Sequence, residues 1–321
     1  MPGLPETTYH CPKVILSLIK QGVLPLLMLA SVALAATGCV PDTPASGSGI
    51  SVVATTTQIG ALVRAVAGDQ VRLTILIPPG AEAHDFEPDP QAVKRVHHAR
   101  LVLRNGIGLD DWISSTVENA GGGARIVVVT EGVRILKSAA GDEAGEDDPH
   151  VWQDPENVRV MVRNIAAALA EADPENAAAF AAGAAAYDAR LVAVDAEIRA
   201  LIDEIPPQDR KMVTNHDAFG YFMARYGLEF VGAVFPVSSA GSQSSAKQLA
   251  ALSNLIKAEG VKAVFAEEEV DPRVARELAK DTGVQIVTGL YADSLGPPGS
   301  DAATIDGMLL TNARKISEAL K

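Results

Sequence analysis

Four side chains, far apart in the chain, could together do one kind of chemistry: holding a divalent cation. In Asp148-Pro149-His150-Val151-Trp152-Gln153-Asp154-Pro155 one imidazole stands between two prolines and beside one of only two tryptophans. Each proline fixes its own φ and pushes the preceding residue out of the helical region, so His150 sits on a stiff, non-helical segment ahead of a helix that Pro155 can start. His84 lies in the loop Pro78-Pro79-Gly80-Ala81-Glu82-Ala83-His84-Asp85, after an apolar strand. His216, in Thr214-Asn215-His216-Asp217, and Asp293, in Tyr291-Ala292-Asp293-Ser294, each follow another strand. In open α/β sheets the ligand crevice lies beyond the carboxyl ends of strands, which favours such positions. Neutral imidazoles and a carboxylate are ligands that zinc takes in tetrahedral sites, and nitrogen-rich sets rank zinc above manganese. Taken singly, each of these histidines is as readily a solvated or structural side chain, and the short intervals of zinc fingers or HExxH helices are absent. His97 and His98 read differently, as cations at the C-terminus of a helix, where they complement its dipole and bare carbonyls.

The elements that must position these groups follow a simple plan. Lys13 and Lys20 precede an apolar run, Gly22 to Ala36, that ends in small residues before Gly38-Cys39. This predicts an export signal over 1–38, too short for the roughly 20 apolar residues of a stable span. With Cys11 removed, the mature chain carries one cysteine, Cys39, and forms no internal disulfide. Residues 39–49 (Pro, Ser and Gly among them) read as a flexible linker. The remainder predicts an α/β fold in two βα-repeated lobes, 50–173 and 206–321, joined by one long Ala-rich helix over 174–205 with no interior proline. Within the first lobe helices are expected at 59–67, 90–99, 108–118 and 155–171. In the second they are expected near 219–226, 246–259 and 272–280 and at the C-terminus. A net charge of −13 excludes nucleic acid, which needs a basic face, and suits a cation.

The segments AHDFEPDP, RNGIGLDDW, DPHVWQDP, TNHDAFGYF and LYADSLG, in this order across nearly the whole mature chain, resemble the zinc/manganese solute-binding lipoproteins of bacterial ABC metal importers, the ZnuA/TroA-like cluster. The resemblance implies two α/β lobes joined by a single rigid helix, with the metal in the interlobe cleft. Carried over by motif, the ligands are His84, His150, His216 and Asp293. Glu267 to Glu269 offer a rival carboxylate, ranked second because the family's ligand sits in the DSLG-like motif. The resemblance further implies Zn(II) as the transported ligand, with Mn(II) or mixed use as the alternative. It implies a permease and its ATPase as partners, a lipid anchor on Cys39 at the outer face of a membrane or a periplasmic location, a monomer, and no enzymatic activity. A secreted zinc hydrolase would need an open coordination position and a general base, and no such signature is present. An adhesin has nothing in its favour beyond surface exposure. Two departures from the family stand out. A short acidic loop replaces the His-rich loop of many zinc-specific members. Members resembling manganese binders often have Glu where His216 stands, so its presence tilts the reading to zinc.

Overall fold

Apolar runs of four to six residues, too short for buried helices, become the strands of two parallel sheets in the computed structural model, which describes residues 49–81, 83–84, 86–139, 144–235 and 244–321. The expected signal segment 1–38, Cys39 and the linker as far as residue 48 lie outside the described residues.

In the first sheet Ser51–Ala54 (β1) and Leu101–Arg104 (β3) are central, flanked by Arg72–Ile75 (β2) and Arg125–Val128 (β4), in the order β2-β1-β3-β4. Val52, Val53, Leu101, Val102 and Leu103 are fully buried, as strands covered on both faces require. The second sheet repeats the plan, with Lys211–Thr214 (β5), Glu229–Ala233 (β6), Ala263–Glu267 (β7) and Gln285–Leu290 (β8) in the order β6-β5-β7-β8. In both sheets the first strand lies between the second and third, so each has a topological switch beside its first strand.

Helices Thr57–Ala67 (α1), Pro90–His97 (α2), Trp112–Ala120 (α3) and Pro155–Ala172 (α4) accompany the first sheet. Gly220–Tyr226 (α6), Ala246–Glu259 (α7), Arg273–Thr282 (α8) and Ile305–Leu320 (α9) accompany the second. Their starts obey local chemistry. Asp89 and Asp154 cap α2 and α4, each followed by proline, and Ser245 with Gln248 forms a capping box at α7. Most helices depart from their expected bounds by a residue or two at an end, and the largest departure is at α3, which begins at Trp112 and not at Gly108. Gly106, Ile107 and Gly108 all have positive φ (79°, 57° and 82°), so RNGIGLD is a left-handed loop that no right-handed helix can include.

Between the lobes runs Ala177–Asp203 (α5), entered through a 3-10 turn over Pro174–Asn176. At 1.5 Å per residue its 27 residues span about 40 Å. Phe180, Ala184, Leu191, Val194, Ile198 and Ile202 form its buried stripe, packed on α1, α4 and α9. Its polar flanks tie the same helix to both lobes: Arg159 of α4 donates to Asp188 at 2.7 Å, Arg225 of α6 to Asp195 at 2.6 Å, and Arg190 to Asp306 of α9 at 2.9 Å. Gly183 lets it approach α1 closely, since a Cβ there would lie 2.2 Å from the Val66 carbonyl oxygen.

Candidate metal centre

All four sequence-derived residues meet where the two sheets' carboxyl ends face each other. His84 comes from the loop after β2, and His150 from the end of the long segment after β4, just before a 3-10 turn over Val151–Gln153. His216 leaves β5 at the switch point of the second sheet, where Thr214 Oγ1 donates to the His216 carbonyl at 2.7 Å and sharpens the turn. Asp293 follows β8.

One ligand atom from each side chain can be chosen so that all four lie within 4.8 Å of one another. His84 Nε2 and His150 Nε2 are 3.2 Å apart. His150 Nε2 is 3.3 Å from Asp293 Oδ1, and His216 Nε2 is 3.2 Å from Asp293 Oδ2. His84 Nε2 lies 3.9 Å from the same carboxylate. Donors held about 2.1 Å from a tetrahedral zinc would be separated by about 3.4 Å, so these spacings fit one ion at the centre. The atoms at the centre left without a formed hydrogen bond point the same way: His216 Nε2 and both Asp293 oxygens are buried and unsatisfied. Buried polar atoms without partners call for an explanation, and a cation shared by all four residues supplies it. The His150, His216 and Asp293 side chains are at most 4% exposed, whereas His84 is 16% exposed and marks the side open to solvent.

Electrostatics shows what the cluster does without a cation. Burial lowers the pKa of His150, but Asp148 and Asp293 reverse this and carry it up to about 10. Burial likewise opposes the charge on His216, yet Asp293 and then Glu267 raise its pKa well above the usual imidazole range. Burial works against the Asp293 charge too, and His216 and His150 nevertheless hold that carboxyl well below the usual carboxylate range. Without a cation, the neighbouring carboxylates thus favour the protonated forms of the His150 and His216 rings. A divalent cation can displace up to two protons with little change in buried charge.

The rival carboxylates take other positions. Glu267, at the end of β7, stands on the far side of the His216 ring, its Oε2 3.7 Å from Nδ1. Glu269 accepts from the Ser294 backbone N–H at 2.8 Å, and burial and the neighbouring Asp293 charge push its carboxyl up to about 8. Glu268 is exposed. His97 lies on the last turn of α2, its Nδ1 2.8 Å from the Ala120 carbonyl oxygen, and His98 caps that helix. The acidic loop before His150 is closed by a bridge between Lys137 and Asp147, with a 2.8 Å ion pair; residues 140–143 lie outside the described residues.

Sequence reasoning missed the supports around the four candidate residues. Asp148 Oδ1 is 2.7 Å from His150 Nδ1 and accepts the His150 backbone N–H at 2.9 Å. Trp152 Nε1 donates to the Ala292 carbonyl at 2.8 Å, holding the Asp293 loop to the other lobe. Gly80 N donates to Ser294 Oγ at 2.9 Å, and Leu295 N to Thr57 Oγ1 at 3.2 Å. In RNGIGLDDW, which supplies no candidate ligand, buried Asp110 accepts from Thr55 Oγ1, Asn105 N and Gly106 N, and Asn105 Nδ2 donates to the Pro149 carbonyl at 3.1 Å. That motif braces the His150 turn from behind. Only the Asp-Pro-His triplet and the motif's internal aspartate gave any sequence signal.

Two parallel-sheet lobes about one long helix, with a buried cluster of imidazoles and carboxylate at their facing strand ends, define a two-lobed solute-binding protein whose cargo is a metal ion. The chain belongs to the ZnuA family (zinc-uptake complex component A, periplasmic), matched over residues 52–319. It is thus the extracytoplasmic substrate-binding component of a metal ABC importer, working with a permease and an ATPase, and not an enzyme. It is 32% identical over 308 residues to the manganese ABC transporter substrate-binding lipoprotein ScaA of Streptococcus gordonii, covering 94% of this chain and 99% of that protein. It is 30% identical over 311 residues to the iron ABC transporter substrate-binding lipoprotein MtsA of Streptococcus pyogenes serotype M1, covering 95% and 98% respectively. Among solved structures, the periplasmic zinc-binding protein TroA of Treponema pallidum superposes with a TM-score of 0.78 at 29% identity, covering 85% of this chain and 99% of that one.

Proposed function

We propose that this chain captures Zn(II) between its lobes through His84, His150, His216 and Asp293 and hands it to its permease. The observation that carries the reading is the convergence of three imidazole nitrogens and one carboxylate on a common point, within 4.8 Å of one another. A set of three nitrogens and one oxygen is borderline-soft, and zinc exceeds manganese in the Irving-Williams order for such donors. Four protein ligands also close the tetrahedron, as befits an ion that is to be held and not reacted upon. Competition titration of the chelator-stripped protein with Zn(II) and Mn(II) tests this. Tighter zinc binding at equal free concentrations is the expected result, and a preference for manganese overturns it.

Manganese is the second reading, favoured by the names of relatives such as ScaA. Three imidazoles bind it less well than a harder set would, which is why zinc is placed first.

The lobe boundaries that follow are 50–173 and 206–321, with 174–205 as the linking helix. The mature chain is proposed to be a monomer that begins at Cys39, carries lipid there, and uses residues 39–49 as a spacer. The relatives' description as lipoproteins supports the anchor. A single acyl chain gives marginal membrane binding, so attachment needs more than one. Mass spectrometry of the mature N-terminus checks it, and an unmodified or differently cleaved terminus contradicts it.

A further inference from the structure

Resting on the metal-centre reading, we infer that Asp148 is a positioning residue: its carboxylate fixes the ring of His150 for metal while its backbone is held by Tyr221 of the opposite lobe. The Asp148 side chain is 1% exposed and sits 2.7 Å from His150 Nδ1. An acceptor there requires the proton on Nδ1 in the neutral ring and leaves Nε2, the atom facing His84 and Asp293, as the lone-pair donor. Because Oδ1 also accepts the His150 backbone N–H, ring and main chain are fixed by one oxygen.

What holds Asp148 comes from the other lobe. Tyr221, buried in α6, donates its hydroxyl proton to the Asp148 carbonyl at 2.9 Å and accepts from Leu136 N at 3.0 Å. Beside it Gly220 leaves space for the carboxylate, since a Cβ there would lie 2.8 Å from Asp148 Oδ2. Gly220 has no positive φ and opens a helix, so neither backbone conformation nor helix formation asks for glycine. The close approach of Asp148 does. Helix α6 begins four residues after His216, so this contact joins the segment presenting His216 to the one presenting His150.

Co(II) is the probe, because its visible spectrum reports ligand geometry directly, alongside Zn(II) affinity measured by competition with a chromophoric chelator on the full chain. Asp148→Ala should weaken zinc binding by about 10- to 100-fold, the usual cost of losing an outer-shell partner, and alter the cobalt spectrum. Asp148→Asn keeps an oxygen that can accept from Nδ1 and should recover much of both. Gly220→Ala should shift affinity and spectrum in the same direction as Asp148→Ala, although it improves helix propensity. Should Asp148→Ala fail to fold by circular dichroism, Gly220→Ala decides. Folded Asp148→Ala or Gly220→Ala protein with wild-type affinity and wild-type spectrum overturns the inference. A wild type that takes up no cobalt or zinc overturns instead the metal-centre reading beneath it.

Discussion

At the scale of single residues, metal binding at the candidate cluster would be coupled to proton release. His150 is pushed up to about 10 and His216 is also raised, so the protonated form of each ring is favoured when no metal is bound. Each proton must leave for a lone pair to reach the cation. Metal affinity therefore rises with pH through the neutral range and falls on acidification, with up to two protons released per ion. Calorimetry in buffers of different ionisation enthalpy measures this release; heats independent of buffer contradict it. His216→Glu replaces a nitrogen donor with a harder oxygen and should lower zinc affinity and narrow the gap between zinc and manganese. His97→Ala and His98→Ala, whose side chains sit at the end of α2, serve as controls that leave binding unchanged. Competition titrations of all three variants read both effects. The four converging residues were legible because each lies beside a strand end or a proline. The tie between Asp148 and Tyr221 was not, because a hydrogen bond between residues 73 apart leaves no local pattern.

At the scale of elements, close approach outweighs intrinsic propensity at Gly183. Propensity alone would make Gly183→Ala stabilising by about 1 kcal/mol in the middle of a helix. The new methyl, however, would meet the Val66 carbonyl oxygen at 2.2 Å and its carbon at 2.9 Å, and backbone cannot rotate aside. Overpacking of this kind costs about 1–3 kcal/mol, so the net change should be destabilising, read as a lower urea midpoint with an unchanged m-value. A raised midpoint would show that α1 and α5 separate without penalty. Strands and capped helices were readable from the chain because apolar runs, Asp-Pro starts and the Ser245–Gln248 box act locally; α7 has its expected bounds, Ala246–Glu259. The start of α3 was not, since the left-handed backbone at Ile107 is set by Asp110 accepting from two successive backbone N–H groups.

At the scale of the whole molecule, the candidate site gathers ligands from both sheets, so a bound ion would cross-link the lobes. A ligand that binds only the folded state stabilises it by about 2.7 kcal/mol at a hundred times its dissociation constant. Zinc at that excess should raise the unfolding temperature by several degrees, and chelation should reverse it; a transition indifferent to zinc would contradict a shared site. The α/β class and paired lobes were visible in the alternation of elements, but how the lobes dock was not. Side chains such as Trp152 and Tyr221 reach across to backbone carbonyls whose positions only the folded chain supplies. X-ray absorption fine structure on the chain loaded with one equivalent of Zn(II) shows whether three imidazoles and one carboxylate hold one ion. Four nitrogen or oxygen scatterers at about 2.0–2.2 Å, with multiple scattering from three imidazoles, are expected. Fewer imidazoles, or a sulfur neighbour, would contradict this ligand set.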